Sequence, residues 1–208
     1  MKKNKSESLF AGSIVEFVAS ANEYCKYIER AEEFEGEELL KILQRLLPFI
    51  YLKATLLPQL EPFFEEGNEK FVREEDWNSI HDILKVKFGT ADAFLEVFDE
   101  RMKESEHPVV VSLAENLADL YQDLKDFVIL YQTGTNEIMN DAIWECRMNF
   151  ENYWGQKLVN SMRAIHRLVY SGEEIGRPTD EETEEEKKLR QEKWIISRKQ
   201  REFRKNGK

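Results

Sequence analysis

Glycine and proline are scarce in these 208 residues, at nine and five. Sheets joined by tight turns rely on both. No stretch keeps the two-residue alternation of a half-buried strand, so a β-rich fold is excluded. Cysteine occurs twice, at Cys25 and Cys146. Both fall on apolar faces of expected helices and read as reduced core thiols, not as a disulfide framework. The three histidines, His81, His107 and His166, are scattered. No H-E-x-x-H, C-x-x-C, G-x-x-x-x-G-K-[ST] or G-x-S-x-G occurs, which removes the chemistries those motifs define. Long apolar runs are missing too. Residues 39–60 come nearest, but Lys41, Gln44, Arg45 and Lys53 interrupt them, so a buried helix is expected and no membrane partner. The basic start, Met1 to Lys5, leads into an amphipathic pattern. No signal peptide is read there, and a cytoplasmic location is expected.

What the chain has is charge, unevenly placed. Its formal net charge is −11. From Glu173 to Glu186 there are eight acids and one base, Arg177. From Lys187 to Lys208 there are ten bases and two acids. The tail therefore nets +1 and residues 1–172 carry −12. Two parts are expected: a helical bundle domain over 1–172, and an acidic-then-basic tail over 173–208, helical or disordered.

Helical periodicity runs through the body. Residues 8–33 repeat apolar side chains at Phe10, Ile14, Phe17, Ala21, Tyr24 and Ile28. Residues 37–57 are apolar almost all round, and Pro48 predicts a kink or break. Residues 75–88 place Trp77, Ile80, Leu84 and Phe88 inward. Residues 89–108 predict a turn of helix or an ordered loop. Residues 112–131 carry the stripe Leu113, Leu117, Leu120, Leu124, Phe127 and Tyr131. Ser112, Glu115, Asp119, Gln122 and Asp126 lie roughly 200° away from it, which predicts a solvated acidic face. Residues 137–170 predict one long helix, central in the bundle, with Phe150 and Trp154 buried. Gly155 within it predicts the close approach of another backbone. The fold class is all-α: a bundle of about five helices with a long central C-terminal helix, plus a charged C-terminal extension.

Two groups of residues are candidates for function. Glu145, Asn149, Asn152, Gln156, Asn160 and Arg163 form a row beside the core row of the long helix. Amides tolerate partial burial but need partners. Such a row is either a cross-helix hydrogen-bond network or a binding groove. The other group is Glu29 and Glu32 with Glu115 and Asp119. Four such carboxylates between helices could hold Mg²⁺, as in all-α nucleotide pyrophosphatases. The second motif of that superfamily is E-x-x-D, and the matching positions here are Asn116 and Asp119. The plainer reading is a solvated face. No catalytic residue, metal or cofactor is expected.

Asp119-Leu-Tyr-Gln-Asp-Leu-Lys-Asp-Phe127, Asn140-Asp-Ala-Ile-Trp-Glu-Cys-Arg147 and Tyr153-Trp-Gly-Gln-Lys-Leu158 resemble a family of bacterial proteins, mainly from Bacteroidetes, known only as a domain of unknown function. The resemblance runs from about residue 9 to 170. It implies a cytoplasmic helical protein and supplies no activity.

The expected function is a non-enzymatic interaction module with a protein partner. The basic tail, through Lys193, Trp194, Arg198, Arg201 and Phe203, would contact RNA, ribosome or an acidic protein. The alternative is an all-α metal- or nucleotide-dependent enzyme of pyrophosphatase-like type. Oligomeric state stays open.

Overall fold

The computed structural model describes residues 9–96, 109–172 and 175–176. Lys193, Trp194, Arg198, Arg201 and Phe203 lie outside the described residues, as does His107.

The fold is all-α. Six α-helices follow one another among the described residues: α1 Gly12–Glu29, α2 Gly36–Ala54, α3 Glu74–Phe88, α4 Leu113–Tyr131, α5 Asn136–Asn149 and α6 Gly155–Ser171. A π-helical turn, Phe150–Trp154, joins α5 to α6 without a break. Counted as one element, residues 136–171 are the long C-terminal helix of a five-helix bundle. The stretch after α3 departs from expectation. It forms a 3₁₀ turn, Gly89–Asp92, then a strand, β1 Ala93–Leu95, which pairs antiparallel with β2 Val110–Ser112. Two three-residue strands need no alternating run of sequence, so periodicity cannot find them.

The bundle is built around α4, which packs against α1, α3, α5 and α6. Thirteen of its 19 residues are buried. The expected centre was 137–170, and the correction has a plain cause. Ala114 and Ala118 are small and fully buried, so they let a second neighbour close on a side the leucine stripe does not cover. The start of α4 is capped twice. Ser112 Oγ accepts the Glu115 amide at 3.0 Å. Asp92 accepts the Ala114 amide at 2.7 Å and the Ser112 hydroxyl at 2.7 Å. Carboxylate oxygen at a helix N-terminus meets both orphan donors and the positive end of the dipole.

Three local expectations change. α2 runs through Pro48 unbroken. Pro48 is exposed, and on that side water can take the carbonyl that loses its helical donor. Gly155 does not admit another helix. Its amide donates to the Phe150 carbonyl across the π-turn, and a Cβ there would run into that oxygen and the Phe150 ring. Phe150 is only half-buried, whereas Trp154 is fully enclosed. The Trp154 ring lies 4.7 Å from Phe150 and 6.5 Å from Phe17, centre to centre. Burial pushes both cysteine thiols well above their ordinary range, so they stay unreactive.

Past α6, Gly172 takes a left-handed φ of 73° and ends the helix. Ile175 and Gly176 then lie against Gly36 and the Lys87 carbonyl. No helix among the described residues is long and apolar enough to cross a membrane.

Candidate functional site

Residues 55–73, between α2 and α3, form an irregular strap. Pro58 and Pro62 deny it a helix. Leu57 and Val72 are its buried apolar anchors. The rest of its attachment is polar, because backbone groups without a ladder of their own need partners elsewhere. Arg147 donates to the Leu57 carbonyl. Asn140 donates to the Glu61 carbonyl at 2.7 Å. The Asp141 carboxylate accepts the amides of Phe63 at 2.7 Å and Phe64 at 2.8 Å, one on each oxygen. Asn68 donates to the Asp141 carbonyl at 3.0 Å and to Glu145 at 2.8 Å. Lys70 pairs with Glu145 at 2.9 Å. Asp126 Oδ1 accepts the amides of Phe71 at 2.8 Å and Val72 at 2.9 Å.

These contacts overturn the solvated acidic face. Asp126 and Asp119 are buried, and only Glu115 of that row's acids is exposed. Burial pushes the Asp126 carboxyl up, and the amides of Val72 and Phe71 oppose it. Its second oxygen is buried without a hydrogen-bond partner among the described residues. Asp123, beside it, is pushed up to about 6 by burial, against the hydrogen bond from Asn149.

Asp119 ties three other elements together. It accepts from Trp77 Nε1 at 2.9 Å, from the Tyr153 hydroxyl at 2.9 Å, and from the Lys157 ammonium. Lys157 also sits 4.7 Å over the Tyr153 ring, and His81 stacks on Trp77 at 5.0 Å. Glu29 faces elsewhere, accepting from Tyr121 at 3.0 Å and pairing with Lys125 at 2.7 Å. Glu32 and Glu115 are exposed. The four carboxylates of the pyrophosphatase-like reading do not converge, and no group among the described residues has the geometry to hold a metal.

The row on the long helix divides. Glu145 and Asn149 face the strap and α4, bonding Asn68, Lys70 and Asp123. Asn160 is buried and donates to Glu96, while Gln156 donates to Asn160 at 3.2 Å. Arg163 reaches the Leu95 carbonyl at 3.0 Å. Among the described residues Asn152 bonds its own helix, at the Met148 carbonyl. A row beside the core and an acidic face opposite it imply that Asn149, Asn152 and Gln156 are less exposed than Glu115, Asp119 and Asp126. Asn149 is half-buried, but Asn152 and Gln156 are exposed while Asp119 and Asp126 are buried. The π-turn is the reason: it inserts one residue, roughly 100° of helix, between Asn149 and Gln156.

Among the exposed large apolar side chains, two groups gather several in one element. On α2 and just past it, Phe49 (46%), Leu52 (54%) and Leu56 (51%) recur at spacings of three and four, on one outer stripe. On the strap, Phe63 and Phe64 stand half in solvent, at 49% and 52%. Periodicity missed the second pair because it lies in a loop. The available signal was two adjacent aromatics in a run of acids, Glu61 to Glu69.

No curated protein matches the sequence. A crystal structure of protein BF1032 from Bacteroides fragilis is similar, with 36% identity and a TM-score of 0.71, over 80% of this chain and 98% of that one. Residues 9–171 match the model of a domain of unknown function, DUF5063, and the chain belongs to that family.

Proposed function

We propose that the chain is a non-enzymatic, cytoplasmic protein-interaction module whose basic segment, residues 187–208, makes a second contact with RNA, ribosome or an acidic protein surface. One observation carries the reading. The polar side chains that chemistry would use are engaged in holding the chain together, while large apolar side chains are left outside. Asp119, Asp126, Asp141 and Glu145 all accept hydrogen bonds from other elements. Phe49, Leu52 and Leu56 line an outer stripe and stand about half in solvent. Contiguous exposed apolar side chains on a soluble domain mark contact surfaces. The tail supports the second contact by composition: ten bases with Trp194 and Phe203 among them suit phosphate pairing and stacking.

The test compares tagged full-length chain with its Leu52→Glu/Leu56→Glu variant. Native purification with quantitative mass spectrometry should recover a stoichiometric protein with the first and lose it with the second. Equal recovery, or none by either, overturns the reading. RNA binding by the full chain should weaken steeply as salt rises. No binding at low salt removes nucleic acid from the proposal.

A further inference from the structure

Phe63 and Phe64 are held more firmly than a connecting loop requires. Their two amides donate to the two oxygens of one carboxylate, Asp141, which is 3% exposed. Asn140 donates to that carboxylate at 3.0 Å as well as to the Glu61 carbonyl. Asn68 fixes the far side of the loop through the Asp141 carbonyl. Gly67 turns the chain between them at a φ of 75°. A buried carboxylate is costly unless it is hydrogen-bonded. Here the buried carboxylate aims two aromatic side chains outward, the reverse of the usual economy in which polar groups support an apolar core. The surroundings are acidic. Glu61, Glu65, Glu66 and Glu69 are all exposed, and none has an ion-pair partner among the described residues.

We infer that the Phe63–Phe64 turn of the strap is a docking surface for a basic protein segment that carries an apolar side chain among lysines or arginines. The inference rests on the interaction-module reading and gives the partner its chemistry. Rigid aromatics lose little conformational freedom on binding and make good anchors. The four exposed carboxylates of the same strap segment, residues 61–69, steer a cationic partner in and keep nucleic acid and anionic lipid away. Partner charge follows from the acids, and partner apolarity from the aromatic pair.

Residues 187–208 of this chain have the composition required, with Trp194, Ile195, Ile196 and Phe203 among ten bases. A labelled peptide of that sequence is therefore the probe, and a peptide of residues 173–186, with eight acids, is the control. Full-length chain carrying Phe64→benzoylphenylalanine is irradiated with each. Cross-linking to the basic peptide, and not to the acidic one, is the expected result. Fluorescence anisotropy should show peptide affinity falling at least about tenfold in Phe63→Ser/Phe64→Ser, whose changes lie on exposed side chains. It should also fall in Glu65→Gln/Glu66→Gln, with a shallower salt dependence. Equal affinity for the wild type and the double serine variant would mean charge alone, and would overturn the inference. So would the absence of any cross-link to the basic peptide. A cross-link in lysate from position 64 to a neutral or acidic protein would also end it, yet leave the interaction module standing. No protein recovered with the full-length chain, together with no cross-link from position 64, removes the two together.

Discussion

The amide of Val72 donates to Asp126 Oδ1 at 2.9 Å, across 54 residues of sequence. One helix carboxylate, buried on α4, thereby closes the strap that leads into α3. The same oxygen takes the Phe71 amide. Asp126→Ala should leave two amides without their acceptor. A stability loss of about 1–3 kcal/mol is expected, with water offsetting part of the cost where the strap opens. Hydrogen exchange at Phe71 and Val72 should speed up before the rest of the bundle responds. Asp126→Asn keeps an oxygen acceptor and should cost less. Unchanged exchange at those two amides would show that the strap does not depend on this contact.

Asp123 predicts a pH dependence. Its folded pKa, pushed up to about 6, lies above its ordinary value of 3.8. The folded chain therefore binds this proton more tightly than the unfolded chain does. The stabilisation is fully present below pH 3.8 and is lost as pH rises through about 6. Burial pushes Asp126 in the same direction. Asp123→Asn keeps an oxygen for the Asn149 amide and removes the buried charge. The variant should match wild type near pH 4 and exceed it by about 1–2 kcal/mol at pH 7. Urea unfolding at a series of pH values reads the difference. A gap that does not change with pH counts against the burial of this carboxyl.

Gly155→Ala should destabilise the chain, although alanine is favoured over glycine inside a helix by about 1 kcal/mol. The added Cβ would meet the Phe150 carbonyl and ring. Relief requires the π-turn to rewind as ordinary α-helix, which would drop one residue and swing Trp154 out of its fully buried seat. Thermal unfolding and tryptophan fluorescence together test this. A rise in Tm with unchanged emission would mean that the turn needs no glycine.

Mg²⁺ and Mn²⁺ should give no binding heat in calorimetric titration. Glu29 and Asp119 each have cationic and hydroxyl partners of their own, in different parts of the bundle. A micromolar Kd abolished by Asp119→Ala would restore the pyrophosphatase-like reading.

The helices were legible because each carries its own 3.6-residue record. Ile14, Phe17, Ala21, Tyr24 and Ile28 mark α1, and Ile80, Leu84 and Phe88 mark α3; all are buried as read. The long element after Thr135 was legible for the same reason, since nothing between Asn136 and Ser171 stops a helix. The all-α class, the apolar stripes of α1, α3 and α4 and the change of charge after Tyr170 can be read from residue order alone. Which acids are buried depends on contacts from distant parts of the chain. A helical wheel places Asp119 and Asp126 opposite the leucines and assigns them to water. They are buried because donors arrive from far along the chain: Trp77 to the first, Phe71 and Val72 to the second. Tertiary structure likewise turned Phe63 and Phe64 outward on Asp141. A loop has no period to record where its side chains go, and the amides that fix it bond to a helix more than seventy residues away.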